Sequence, residues 1–173
     1  TANVANATTF GDAVGDTVSV ASLTTDASGT TVLNGGSVTT TGAQTYGDAV
    51  TLGADTTLSS TNLGTIDFVS TVNGAQALVV NTGGLTIFRD DVGAAPGAAL
   101  ASLATDMAGT TQLHAGTVTT TGAQTYNDNV TLSADTVLNA DALTFNGTVS
   151  GAFALTANVA NATTFGDAVG DTV

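Results

Sequence analysis

Eighteen residues, TANVANATTFGDAVGDTV, occupy positions 1–18 and return without a change at 156–173. The sequence restarts after 155 residues, so the fold must accept one segment at two places along a single path. A second, weaker repeat lies inside that unit. Residues 21–58 align with 101–138 at an offset of 80, with 11 differences in 38 positions and the shared phrase TTTGAQTY at 39–46 and 119–126. Residues 70–93 align with 147–170 at an offset of 77. The chain is therefore read as one full repeat unit, 1–155, in two diverged halves at about 1–78 and 79–155, with 156–173 opening the next unit. The offsets differ because AAPGAA around Pro96 is two residues longer than DTVS after Gly15, and Asn62 to Phe68 is three longer than Ala142 to Phe145. Length changes confined to such spots are the mark of loop insertions on a regular scaffold. With Thr1 in place of an initiator Met and no basic-then-apolar leader, the chain is expected to be a piece of a longer array that continues past both ends.

The local pattern predicts strands. Val50-Thr51-Leu52, Ile66-Asp67-Phe68, Leu85-Thr86-Ile87 and Leu143-Thr144-Phe145 alternate with period two, and turn formers such as Asn34-Gly35-Gly36, Gly53-Ala54-Asp55 and Asn146-Gly147 punctuate them. Thr, Val, Gly, Asn and Asp rank low in helix propensity, and no stretch holds a 3.6 period. Even the Ala-rich Gly97 to Met107 reads as loop and strand, because the aligned segment carries Thr17, Val18 and Val20. Strands this short bury a face only when each turn of chain stacks on the last, which predicts an all-β solenoid. Four coils per half give about 19 residues per coil and an advance of roughly 38 Å per unit. Leu, Val, Ile and Phe are expected inside. Thr, about a fifth of the chain, is expected outside with Ser and Asn, where its β-branch favours extended backbone.

Composition narrows function. All 14 acids are Asp, Arg89 is the one cation, His114 the one His, and Cys and Trp are absent, for a net charge of -13. Phosphate neutralisation and anionic membrane surfaces both need clustered Lys or Arg, so nucleic acid is not expected as a partner, nor is an anionic membrane surface. No run of 18 apolar residues is present for membrane insertion of this segment. Disulfide and Cys-zinc chemistry are excluded. With 42% hydrophobic residues and positive mean hydropathy the chain should fold. Identical coils would place like charges about 4.8 Å apart, at roughly 1 kcal/mol per pair even in water. The repeated acids (Asp12, Asp90 and Asp167; Asp26 and Asp106; Asp48 and Asp128; Asp55 and Asp135) recur once per half instead, roughly 19 Å apart on the four-coil reading and beyond a Debye length of about 8 Å.

The runs GTTVLNGGSVTTTGAQTYGDAVTLGADTTL and GTVSGAFALTANVANATTFGDAVG resemble the repeats of very large bacterial surface proteins, the filamentous-haemagglutinin-like and autotransporter-like β-strand-repeat adhesins. The resemblance covers essentially the whole chain. It implies a right-handed parallel β-helix, exported and displayed outside the cell as a stalk or fibre. The secretion domain and anchor of such proteins are not among these residues.

Candidate sites are few. β-Helix lyases and hydrolases need clustered carboxylates beside a basic residue. Arg89 aligns with Gly11 and Gly166 and reads as a surface side chain near Asp90 and Asp91. His114 aligns with Asn34, a turn position that accepts either residue. Asp48 and Asp67 are separated by one expected coil length, which would stack them into an oxygen-rich column suited to Ca²⁺, the one cofactor the spacing offers. The glycine-rich nonapeptide of calcium rolls is absent, and Asp at turn starts commonly caps local backbone. Tyr46 and Tyr126 share a repeat position and are expected to pack or stack. Thr39 and Thr41 form a Thr-x-Thr pair that returns once per half, too seldom for an ice-binding array. The N-x-T triplets at Asn6, Asn129, Asn146 and Asn161 are glycan acceptors only in a eukaryotic secretory route.

No residue is assigned a catalytic, cofactor-binding or metal-ligating role, and the chain is not read as an enzyme. The expectation is a structural segment of a long extracellular repeat protein, a fibre, stalk or sheath on the bacterial surface, whose partner is itself by end-to-end stacking or as a continuous filament. An adhesin with an unidentified receptor is the alternative, and a carbohydrate-active β-helix enzyme the third reading.

Overall fold

Each strand here has one apolar side to hide and is too short to hide it alone, so the chain closes the core by coiling. In a computed structural model, residues 1–2 and 5–170 are described. They wind into a parallel β-solenoid of about eight turns with about 20 residues per turn, close to the coil length expected, and without a helix among the described residues.

The first strand is β1 (Ala7–Phe10). Full circuits of three sides follow. They are β2 (Leu23–Thr25), β3 (Thr30–Leu33) and β4 (Ser37–Thr40), then β5 (Gln44–Tyr46), β6 (Ala49–Leu52) and β7 (Thr56–Ser60), then β8 (Ile66–Phe68), β9 (Val72–Asn73) and β10 (Ala77–Thr82). In the next circuit β11 (Leu85–Phe88) and β12 (Ser102–Thr105) flank Val92, which holds the middle side through single bridges to Val72 and Val118. The last circuits are β13 (Thr110–Leu113), β14 (Thr117–Thr119) and β15 (Gln124–Tyr126), β16 (Asn129–Leu132), β17 (Thr136–Ala140) and β18 (Leu143–Phe145), and β19 (Val149–Ser150), β20 (Leu155–Val159) and β21 (Thr163–Phe165). Side one stacks β2, β5, β8, β11, β13, β16 and β19. Side two runs from β1 through β3, β6, β9, Val92, β14 and β17 to β20. Side three runs from β4 through β7, β10, β12, β15 and β18 to β21, with Val14 bridged beneath β4.

The turns are unequal. The turn from Val130 to its stacked partner Val149 is short, and the turn from Val92 to Val118 is much longer. The long turn carries the Pro96 insertion: Val92 and Leu100 bridge Val118 and Thr120, so residues 93–99 leave the ladder where one residue would suffice. Residues 15–19 do the same between Val14 and Val20, which bridge Val38 and Thr40. These are the loop insertions expected from the offsets. Their effect on phase was not. An element of the first half reappears one side back in the second: β5 is on side one but its counterpart β15 on side three, and β6 is on side two but β16 on side one. A half therefore spans three and two-thirds turns, not the four coils expected, because its insertions lengthen individual turns while its strands number eleven, counting Val92.

The core holds the expected Leu, Val, Ile and Phe, with in-register stacking. Tyr46, Phe68 and Phe88 stack face to face at 5.2 and 5.0 Å between ring centres, and Tyr126, Phe145 and Phe165 at 5.1 and 5.3 Å. On side one the full column runs Thr25, Tyr46, Phe68, Phe88, Leu113, Leu132. On side three it runs Tyr126, Phe145, Phe165, with Thr105 beneath by the same register. Side two begins with Phe10, Leu33, Leu52.

Thr departs from expectation. Thr25, Thr31, Thr40, Thr105, Thr111 and Thr136 are among the buried residues. A threonine methyl packs like that of valine, while its hydroxyl reaches a nearby carbonyl at the strand end: Thr40 donates to Gly42, Thr120 to Gly122 and Thr136 to Ala134. Alternation alone did not separate these inward threonines from the outward ones.

Candidate functional site

Chemistry-bearing side chains concentrate at one buried corner per half. The first lies where the chain turns from β5 to β6. Asp48, 3% exposed, points inward, and its Oδ1 accepts from the Thr25 hydroxyl at 2.8 Å and the Thr31 hydroxyl at 2.7 Å, one turn below. The Thr25 hydroxyl in turn accepts from the Gly47 backbone N–H. Asp48 Oδ2 is buried without a hydrogen-bond partner. The second corner repeats the plan between β15 and β16, on a different edge of the solenoid. Asp128 takes 2.7 Å from Thr105, while the Thr111 hydroxyl lies 3.0 and 2.8 Å from its two oxygens. Burial raises the Asp128 carboxyl above the usual carboxylate range, the two threonine hydroxyls oppose that shift, and Asp106 nearby reinforces it.

Beside each corner stands a polar clamp inside the core. Gln44 Nε2 donates to the carbonyls of Ser59 at 3.0 Å and Val38 at 3.2 Å, and Tyr46 donates its hydroxyl to Gln44 Oε1 at 2.9 Å. Gln124 and Tyr126 reproduce all three bonds with Asn139, Val118 and Gln124 Oε1. Both phenols are fully buried, and desolvation pushes them far above their ordinary range. Tyr46 and Tyr126 thus pack and stack as expected, and their hydroxyls add a hydrogen bond that composition did not foretell. These interactions fasten one turn to the next. The carboxylates, glutamines and phenols of both corners are all buried.

The sequence-predicted candidates scatter over the surface. Arg89 pairs with neither Asp90 nor Asp91. Its Nε and Nη2 fork onto the two oxygens of Asp67, one turn below, at 2.8 and 2.9 Å. Asp90 accepts from the backbone N–H of the adjacent Asp91, a local bond, while Asp91 accepts from that of Thr117 on the turn above. Asp48 and Asp67 form no column. The local register is longer than the expected coil and sets Asp67 between Thr45 and Ile87 on an outward row, while Asp48 points into the core. Among the described residues no group of three or more His, Asp or Glu side chains converges to hold a metal ion. His114 and Asn34 follow equivalent strands, their backbone N–H groups donating to Phe88 and Phe10. Thr39 sits beside Ser59 and then Asn81, so its outward row is mixed. Of the N-x-T residues, Asn146 donates to Asn127 at 2.6 Å, Asn129 accepts from the Thr148 backbone, and Asn161 donates to Asp141.

What sequence reasoning missed is the Asp–Thr–Thr corner. A signal was available, since Thr25, Thr31 and Asp48 all persist at an offset of 80. The two threonines nevertheless lie at unequal distances along the chain from the aspartate, and their contact with it is visible only once the register is known. Fold and corners together define a parallel β-solenoid built of tandem repeats. No family model, curated protein or solved structure matches the chain. Among the described residues no helix is long and apolar enough to cross a membrane.

Proposed function

We propose that the chain is a structural segment of a long extracellular repeat protein that forms a fibre, stalk or sheath on a bacterial surface. The observation that carries this reading is the location of its polar chemistry. Asp48, Asp128, Gln44 and Gln124 are spent on binding one turn to the next. Parallel ladders run along three sides with a stacked core between them, an arrangement that resists bending because each inner turn is bonded to the turns above and below it. The resemblance to β-strand-repeat surface proteins supports the bacterial, extracellular setting. The acidic exterior supports a rod that stays apart from its neighbours.

The test is the shape of a two-unit chain in which residues 19–173 follow Val173 a second time. Small-angle X-ray scattering is expected to give a rod of unchanged cross-section, lengthened by roughly 35 Å. A cross-section that grows while the length stays constant overturns the reading.

A further inference from the structure

The segment that occupies both 1–18 and 156–173 stands at the two ends of the solenoid, and each copy has the neighbour that the other lacks. In the first copy the contacts lie above: Ala2 bridges Thr25 on side one, Phe10 pairs with Leu33 on side two, and Val14 bridges Val38 on side three. In the second copy they lie below: Ala157 pairs with Leu138 on side two, Phe165 with Phe145 on side three, and Val169 bridges Val149 on side one. All three positions have moved forward by one side. From β1 to β21 the chain makes seven turns and one side more.

We propose that the open edge at β21 is a docking surface for the next copy of the same repeat unit, whose Leu33 strand lies on Phe165, and that each unit is thereby turned by one third of a circle relative to the last. This deepens the fibre reading and rests on it. The core column supplies an independent observation. Side one shows the whole run of Thr, Tyr, Phe, Phe, Leu, Leu within one chain. Side three stops at its second Phe, Phe165, which is 45% exposed. Side two starts at Phe10 and continues with Leu33 and Leu52. Phe165 and Phe10 are the same residue of the repeat, so overlaying them completes the six-rung column and covers the exposed ring. The backbone agrees, because the Phe10 carbonyl already accepts from the Asn34 N–H, the bond that the Phe165 carbonyl would make with the following unit.

Out-of-phase docking has a functional consequence. A surface feature present once per unit, such as the Arg89–Asp67 pair, faces three directions in three successive units and returns to the same side roughly 105 Å along the axis. A fibre of this kind presents the same surface to partners on every side.

Cysteine pairs in the two-unit chain test the phase, since the protein has no Cys of its own. Thr9 faces Val32 across the ladder, so Thr164→Cys in the first unit with Val32→Cys in the second is expected to form a disulfide under mild oxidation. Asn158→Cys on β20 with the same Val32→Cys reports stacking without rotation and is expected to crosslink about tenfold less, because its Cβ atoms lie beyond bridging distance. Predominant crosslinking through position 158, or through neither position in a chain that circular dichroism shows to be folded, overturns the rotation. Scattering on the same chain reads rod length separately, so an in-phase rod would leave the fibre reading standing while removing this one.

Discussion

Thr111 and Asp128 show how a single buried hydroxyl sustains the solenoid. Thr111 reaches both carboxylate oxygens, so Thr111→Val keeps the shape but leaves Asp128 with Thr105 as its one side-chain donor. The expected loss is about 1–3 kcal/mol in urea unfolding, the cost of a buried charged group losing a bond. Thr131→Val, on the outward side of the neighbouring strand β16, should stay within about 0.5 kcal/mol. Equal effects would mean that the corner carries no special weight. Asp128 also gives the fold a pH dependence. Its carboxyl holds a proton more tightly folded than unfolded. Its contribution is therefore greatest at or below the unfolded value of about 3.9 and is lost as pH rises through the raised folded value. Asp128→Asn removes that slope. The stability of the variant relative to the parent should grow from about pH 4 to pH 7, and parallel melting curves across that range would refute it.

At the scale of the element, the corners depend on glycines packed against the turn below. Gly97 and Gly109 both adopt left-handed backbone, with φ of 74° and 82°. A Cβ on Gly97 would meet open space, whereas on Gly109 it would fall 2.1 Å from the Gly84 carbonyl oxygen. Gly97→Ala should cost about 1 kcal/mol, the backbone penalty alone. Gly109→Ala should cost clearly more, because a carbonyl of the ladder must shift, and unfolding midpoints of the two variants measure the difference. The sequence made strands and insertions legible: Val50 to Leu52, Ile66 to Phe68 and Leu143 to Phe145 are all strand, and the loops at Gly15 and Pro96 are where the offsets put them. Thr was ambiguous because its methyl suits the core and its hydroxyl suits the surface, so period two in a threonine-rich run did not say which side is in. The corners at Asp48 and Asp128 stayed hidden for a related reason. Turn length varies, and two residues one average coil apart, such as Asp48 and Asp67, fall on different rows where the local turn is longer than the average.

For the whole molecule, the balance is between ladders that draw turns together and charge that pushes them apart. Fourteen Asp face one Arg, and that Arg is already engaged by Asp67. The phase shift between halves moves each repeated acid to another edge as well as along the axis, which separates like charges further than vertical stacking would. Residual repulsion remains among the exposed acids, and it is screened by salt. Raising sodium chloride from about 0.01 M to 0.15 M shortens the Debye length from about 30 Å to about 8 Å. At pH 7 this should stabilise the fold by about 1 kcal/mol, a rise of roughly 3 °C in melting temperature. Because Asp48 and Asp67 are not brought together, calcium chloride at matched ionic strength should give nearly the same rise, and a clearly larger one would reveal a bound ion. The same charge keeps rods apart laterally. Near the sequence pI of about 4.1 that repulsion disappears, while the Asp128 corner is at its most stable. Acidification from pH 7 to 4 should therefore increase light scattering without loss of the β-sheet dichroism, and reverse on return to neutral pH. Scattering that rises only together with unfolding would show that charge is not what holds the rods apart.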